Sequence, residues 1–592
     1  MKSQSGSLRA RLWRHQWAVV GGLALVAFVL GIVGLHRLRV EAASHKPWIW
    51  ADAVYFSLRL FGFNYDFGGD ETSPYAVGNW QLWVARFLAP ASTALAVLKA
   101  VTQAAATQIT LWQVSQWKGH TVVCGAGERG RQLALSIRSE DRDLRQRRGW
   151  LPVTLSDWIQ FGPGRVVVID KDGGCDTLDD LRKSGVRVIV GNVTDPAVQA
   201  FARLDSARTV VALTPCPDAN LRVVLAASER DNGLPLRALA SAPRSFAAMF
   251  EGQQPFARIE SAKDCGFFDD NASAARVIVG KYLKEIALQL FREQRGARIL
   301  VAGDGDVLPE LLGTLIAQSQ ILGSSLPRLT LLTVDEDTFA GGFPLHHPQL
   351  PLVADLRIHT MSLPRMTMVE LESLSIERPN EQFDLAFVAC REDTDTLALA
   401  AHVNQQPRYV GRVVAGLAPS TSLHRLFKGT PIGNGVEIVN LVECACGSDQ
   451  VLRETLDVEA KAIHDGYLKA EADRAKREGR PSPMGSTYSM HPWEHLRDDT
   501  RQGNRSQADH IPIKKRILEV SDSAETIELL AEAEHRRWMA DRIFCGWRHA
   551  IVRDDAKRLH DCIRPYDDLP ESTKEKDRAA VHTAAAVGRE AC

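Results

Sequence analysis

The chain has 592 residues, 45% of them apolar and 24% charged, with a formal net charge of −1 at pH 7. That length calls for several domains, and the near-neutral balance argues against nucleic acid as a partner. Ten cysteines without framework spacing read as reduced and mostly core, which argues against a disulfide scaffold.

Residues 1–16 carry Lys2, Arg9, Arg11 and Arg14 and read as a cytoplasmic N-terminus. Trp17 to Leu35 follows without a single charge, about one bilayer thickness of helix. A cleaved signal peptide has a similar outline, but this run is long for one and no small-x-small site follows. A second span runs from Trp80 to about Val101, with Trp80 and Trp83 as interface anchors and Arg86 and Pro90 inside it. Between the spans, Trp48–Asn64 is too short to cross yet apolar enough to enter a membrane partway. Residues 17–117 therefore read as two transmembrane helices with a pore-loop-like segment and a linker helix. Gly62, Phe63 and Asn64 stand at the filter position. An amphipathic helix lying on the outer surface satisfies the same composition. No Thr-Val-Gly-Tyr-Gly stretch is present, so potassium selectivity has no support here. The expected location is the inner (cytoplasmic) membrane, multi-pass, with both termini cytoplasmic and lipid as a partner.

Residues Thr121–Cys124 lead into Gly125-Ala126-Gly127-Glu128-Arg129-Gly130, after which a helical pattern opens. In such a turn the first glycine permits the bend, the second lets backbone approach a pyrophosphate, and the third lets helix pack on strand. The helix N-terminus then offers N–H groups and a positive dipole end to phosphate. A second apolar strand ends in Asp170, an acid able to bind ribose hydroxyls. It lies forty residues beyond Gly130, where about twenty is usual. The surplus, Glu140–Gly164, holds Arg142, Arg145, Arg147, Arg148, Trp150 and Trp158. It reads as a surface loop, or as a contact for anionic headgroups. Thr121–Cys124, Val166–Asp170, Val186–Val190, Thr209–Leu213 and Leu236–Ala240 are five strands, with helices expected at Asp176–Ser184, Pro196–Leu204 and Asn220–Asp231. That rhythm predicts a parallel, doubly wound α/β sheet.

Four segments in order carry a resemblance: Cys124-Gly-Ala-Gly-Glu-Arg-Gly, Val168-Ile-Asp-Lys-Asp, Val190-Gly-Asn-Val-Thr-Asp and Leu213-Thr-Pro-Cys-Pro-Asp-Ala-Asn. Within a domain expected at 118–296, residues from 118 to about 245 resemble the NAD-binding TrkA-N domain of regulators of K⁺ conductance (RCK). The resemblance implies a Rossmann-like domain that binds NAD(H) or another adenine nucleotide and regulates a channel rather than catalysing. It places Gly125, Gly127, Glu128, Arg129 and Gly130 at the phosphates, Asp170 at the ribose, and Asn192 and Asp195 at the base. Residues 297–456 repeat the grammar. Arg298–Asp306 enters a second glycine turn at Gly303 and Gly305, a helix is expected at Leu308–Ser319, and strands at Leu329–Val334, Phe383–Ala389 and Tyr409–Val414. With Leu308 where a third glycine would serve, this second Rossmann-like domain is degenerate; a structural role is expected, or binding of something other than a dinucleotide.

From 457 to 592 the composition turns polar and tryptophan-bearing. Gly479, Pro481, Pro483 and Gly485 mark a loop, and Ala524–Arg542 a helix. The residues Ala533-Glu-His535-Arg-Arg-Trp538, Gly546-Trp547 and His560-Asp-Cys-Ile-Arg-Pro565-Tyr566-Asp-Asp-Leu569-Pro570 resemble the ryanodine-receptor repeat (RyR) domain. Trp493-Glu-His-Leu and Asn504-Arg505-Ser-Gln-Ala-Asp509-His510-Ile-Pro resemble its first half. The resemblance implies a mainly helical module that binds a ligand or partner. Arg505, His510, His535, Arg537 and Trp547 are the candidate lining for a nucleotide-like anion, arginine suiting phosphate and tryptophan a stacked base. The aromatics also read simply as core. Cys545, His549, His560 and Cys562 carry zinc chemistry, but no metal is expected.

The whole reads as a membrane unit, tandem α/β Rossmann-like domains and a helical RyR domain. The function expected is a ligand-gated ion channel or channel-like effector, for K⁺ or another cation, assembled as a homotetramer. A non-conducting, membrane-anchored nucleotide sensor that recruits partners is the alternative. A membrane-tethered NAD-dependent oxidoreductase is less in keeping with the sequence, since no Tyr-x-x-x-Lys pair follows the cofactor region. No catalytic residues are expected.

Overall fold

The computed structural model describes residues 16–41, 50–62, 80–147, 165–174, 176–230, 235–250, 263–334, 347–360, 382–405, 410–417, 435–487 and 489–586. The chain divides into two compact units, Met1–Gln113 and Val114–Cys592. Phe63, Asn64, residues 148–164 and the expected strand start at Tyr409 lie outside the described residues.

Among the described residues the first unit holds three helices: α1 (Gln16–Glu41), α2 (Trp50–Phe61) and α3 (Trp80–Ser115). The windows Val20–Arg37 and Trp80–Val101 are long and apolar enough to cross a membrane, and only 22% of each is buried. A core helix of a globular protein would be mostly covered, whereas here Leu25, Val29, Phe87 and Leu98 are exposed. Ala53, Ser57 and Leu60 form the buried stripe of α2. The Ser57 hydroxyl donates to the Phe28 carbonyl at 2.9 Å, tying α2 to α1. A Cβ at Gly34 would stand 2.7 Å from the Leu82 nitrogen, so α1 and α3 touch backbone to backbone. Such close packing holds helices together where no water is expelled between them. At 36 residues α3 is about 54 Å long, well beyond a hydrocarbon core of about 30 Å. It runs past Val101 without a break.

The second unit contains two six-stranded sheets. Strands β1 (Thr121–Cys124), β2 (Val166–Asp170), β3 (Arg187–Val190), β4 (Thr209–Ala212), β5 (Leu236–Ser241) and β6 (Lys263–Phe268) lie in the order β3-β2-β1-β4-β5-β6. Helices α4 (Glu128–Arg147), α5 (Asp176–Lys183), α6 (Pro196–Phe201) and α7 (Pro217–Ser228) connect them. Every pairing is parallel. That explains the unbroken Val and Ile runs, since a sheet covered on both faces has no polar side to show. Helix α8 (Asp270–Arg292) crosses to the second sheet.

There β7 (Arg298–Gly303), β8 (Arg328–Thr333), β9 (Asp355–Thr360), β10 (Leu385–Ala389), β11 (Val413–Leu417) and β12 (Val436–Asn440) are ordered β12-β11-β10-β7-β8-β9. Read from the other edge this is the order of the first sheet. Helices α9 (Leu308–Gln318) and α10 (Asp393–Asn404) flank it. The edge strands β6, β9 and β12 escaped the sequence reading because they carry Lys263, Asp264, Arg357, His359 and Glu437 in place of apolar runs. The expected strand at Tyr409–Val414 forms later, at Val413–Leu417, and Val410 makes only an isolated bridge to Phe383.

After β12 the chain returns to the first sheet through α11 (Leu441–Ala445) and α12 (Ser448–Val451). This strap is fastened to α4, where the Ser136 and Ser448 hydroxyls meet at 2.9 Å and Arg453 pairs with Glu140 at 2.7 Å. Val451 joins the apolar cluster of Leu133 and Ile137. Four helices follow: α13 (Val458–Arg477), α14 (Asp498–Leu518), α15 (Ala524–Phe544) and α16 (Glu571–Ala586). Ser523 caps α15 by accepting from the Thr526 amide. This helical part shares one core with α8 and the second sheet, in which Tyr282, Leu312, Ile513, Ile543 and Val581 are all buried.

Candidate nucleotide site

The first glycine turn sits at the C-terminal end of β1, where the strand order reverses between β1 and β4. In a doubly wound sheet that crevice is where ligands bind. Gly125 has φ +104, and a Cβ there would lie 3.0 Å from the Leu213 carbonyl oxygen. Its amide donates to the Ile169 carbonyl at 2.8 Å. A Cβ at Gly130 would strike the Gly125 carbonyl oxygen, so the third glycine is required by helix packing. A Cβ at Gly127 would meet nothing within 4 Å. The middle glycine thus faces open space at the head of α4, whose first amides have no partner within the helix.

Asp170 closes this turn from below. One carboxylate oxygen accepts from the Ala126 amide at 2.5 Å and the other from the Asp172 amide at 2.9 Å. Thr177 adds a hydroxyl bond to the Ala126 carbonyl at 2.8 Å. The structure therefore brings Gly125, Gly127, Glu128, Arg129, Gly130 and Asp170 together at the ends of β1 and β2. Asn192 and Asp195 follow β3, one strand further out. Asn192 accepts from the Thr194 amide at 3.1 Å, and Asp195 caps α6 through the Ala197 amide at 2.9 Å. Glu128 is turned toward Arg131 at 3.4 Å. Arg129 reaches Asp270 of α8 at 3.0 Å, a partner that sequence spacing gave no means of finding. The Cys124 thiol beneath the turn is pushed up to about 12 by burial, which removes it as a nucleophile.

The second turn is built differently. Gly303 has φ +139, and a Cβ there would strike the Ala389 carbonyl oxygen. The Gly305 amide donates to that oxygen at 3.0 Å, and its own Cβ position lies only 2.9 Å away. Asp304 accepts from the Arg391 amide at 3.0 Å, and Leu308 is fully buried where the third glycine stood in the first turn. Both glycines of this turn thus lie against the Ala389 carbonyl, whereas Gly127 of the first turn meets nothing.

Of the five C-terminal residues, His510, His535 and Arg537 converge on one buried polar core between α14, α15 and α16. Arg537 is held by Glu534 at 2.7 Å and by Asp541, and Lys514 also binds Glu534. The His535 Nε2 donates to the Arg564 carbonyl at 3.0 Å, and its Nδ1 lies 3.4 Å from Asp577. Burial holds His510 well below the usual histidine range, and therefore neutral. Arg505 belongs to another cluster, bound to Asp457 and Asp498 at 2.8 Å each. Trp547 donates to Asp499 at 3.4 Å and borders a cleft of about 40 Å³ with His347, Gln349 and Arg548. His560, Asp561 and Cys562 place ligand atoms within 4.8 Å of one another. The His560 Nδ1, however, already accepts from the Cys562 amide at 3.1 Å, and burial pushes the Cys545 thiol up to about 12.

Two parallel sheets of one strand order, the first with an open glycine turn at its switch point, define a tandem Rossmann-type protein. Residues 157–252 match the TrkA-N domain family, a stretch that begins after the glycine turn and takes in Asp170, Asn192 and Asp195. Residues 511–586 match the RyR domain family and take in His535, Arg537 and Trp547. The chain thus carries a TrkA-N domain and a RyR domain. Among solved structures it is similar to the GsuK channel, with 12% identity over 75% of this chain and 98% of that one and a TM-score of 0.36. It is similar also to GsuK bound to ADP (13% identity, 75% of this chain and 98% of that one, TM-score 0.34) and to the GsuK channel bound to NAD (11%, 76% and 84%, TM-score 0.34).

Proposed function

We propose that the chain is a subunit of a membrane ion channel, or a channel-like effector, regulated by an adenine nucleotide at the first glycine turn. The observation that supports this above the others is Gly127, a glycine with nothing against it, at the head of α4 beside Asp170. Backbone amides and the helix dipole would take the phosphates there, and Asp170 a ribose hydroxyl. The TrkA-N match around Asp170 favours a regulatory over a catalytic role. NAD(H) and ADP share the groups this turn recognises. Asn192 and Asp195 would border the base.

In this reading α1 and α3 cross the inner membrane, both termini lie in the cytoplasm, and four copies surround a cation pathway. The half-length α2 ends at Phe61–Gly62, and the negative end of its dipole would favour a cation there. Gly62, Phe63 and Asn64 would line the narrow part. The C-terminal helices would receive a second ligand or a partner, for which the cleft beside Trp547 offers an opening, while His510, His535, Arg537 and Arg505 hold the module together from within. Nucleotide shifts the pore only by binding its two states with unequal affinity.

The test is flux and single-channel recording of the full chain in planar bilayers, with and without ADP or NAD⁺. Nucleotide-dependent current is expected. Tight nucleotide binding with no current under any condition would replace this reading with a membrane-anchored sensor. Absence of both would overturn it.

A further inference from the structure

This inference rests on the reading that a phosphate-bearing nucleotide occupies the first glycine turn. Arg129 belongs to that turn, yet its guanidinium is already held from behind. Its Nε lies 3.0 Å from an Asp270 carboxylate oxygen, and the arginine side chain is 36% exposed. Asp270 is itself fixed, for its other oxygen accepts from the Ser241 hydroxyl at 3.2 Å and the residue is buried at the first position of α8. Its neighbour Asp269 caps the same helix through the Ala272 amide at 3.0 Å.

All three parts of the second unit meet on helix α8. Arg276, further along the helix, is bound by Asp457 at 2.7 Å and by Asp509 of α14 at 2.7 Å. The Tyr282 hydroxyl donates to Glu437 of β12 at 2.9 Å. An arginine held through Nε presents its two Nη groups as a fork, the geometry that suits a phosphate.

We propose that Asp270 is a positioning residue for nucleotide: it locks Arg129 so that the Nη fork faces the turn, and it thereby ties bound phosphate to α8. Nucleotide then joins α4 to the helix that carries Arg276 and Tyr282. Occupancy of the first turn is felt along α8, at Asp457 and Asp509 of the C-terminal half.

The experiment is calorimetric titration of ADP and of adenosine into the full chain in nanodiscs, as wild type, Asp270→Asn, Arg129→Gln and the double variant. Asp270→Asn should weaken ADP binding about tenfold, the worth of one charge-assisted hydrogen bond. Adenosine, having no phosphate, should bind both proteins alike, whereas general damage to the pocket would weaken both ligands. On the Arg129→Gln background, Asp270→Asn should change nothing further. Asp270→Glu, which keeps the charge, should recover part of the loss and covers a folding defect in the asparagine variant. Hydrogen exchange of 270–276 and 498–509 should slow on adding ADP to wild type and stay unchanged in Asp270→Asn. If wild type binds ADP and Asp270→Asn binds it as tightly or more tightly, the inference falls while the nucleotide reading stands. If wild type binds no nucleotide, both fall together.

Discussion

The two glycine turns occupy the same place in two sheets of the same strand order, and they use their second glycine for opposite purposes. In the first, Gly127 faces nothing, so its missing side chain leaves room for something outside the protein. In the second, Gly303 and Gly305 are pressed against the Ala389 carbonyl, so their missing side chains leave room for the protein itself. A glycine motif therefore states that a close approach occurs and leaves open what approaches. Where the neighbouring strand moves in, the turn becomes a packing joint. Where it stays back, the turn remains a receptor.

Substitutions can break or sharpen that contrast. Gly303→Ala should have the largest effect, about 3–5 kcal/mol of lost stability, because strain at positive φ adds to a backbone collision. Thermal unfolding of the purified chain measures it, and a shift within error would mean that the second turn is looser than described. A reference outside both turns is His560, which sits edge-on to Trp538 and Trp547. Burial, with Arg553 assisting, lowers its pKa from 6.5 to about 4. The unfolded chain then binds more protons between those values. Stability is complete above about pH 6.5 and declines as pH falls toward 4, by at most about 3 kcal/mol. His560→Gln should flatten that part of the acid unfolding curve, and an unchanged slope would assign the acid sensitivity to other groups.

Gly305→Ala should cost about 1–3 kcal/mol, since its neighbour is backbone that yields little. Gly127→Ala should cost less than about 1 kcal/mol in unfolding while weakening ADP binding more than about tenfold. If Gly127→Ala instead unfolds the protein and Gly305→Ala is silent, the roles assigned to the two turns are reversed.

Much of the first sheet was legible in the chain because it is buried on both faces and spells itself in valine and isoleucine. Its glycine turn could be read for the same reason, as could Asp170 at the end of the next strand. The outer strands β6, β9 and β12 could not be read, since an edge tolerates lysine, aspartate, arginine and glutamate that resemble loop. The partners of the candidate residues were also hidden. Nothing in the spacing of Arg129 and Asp270, or of Arg276, Asp457 and Asp509, announces an ion pair, because each pair is made by folding distant segments together. The C-terminal motifs were visible as rare-residue patterns. Their apparent grouping as one lining separated on folding, with Arg505 drawn to Asp457 and Trp547 to Asp499.

The strap that brings Val451 back beside Leu133 also fixes an order of events during synthesis. Strands β1 to β6 leave the ribosome early, yet a piece of their apolar interior arrives only after the whole second sheet has been made. Until then the first sheet waits with a gap over α4. A chain cut short within the second sheet would leave that gap permanently open, exposing the surface that holdase chaperones and proteases recognise.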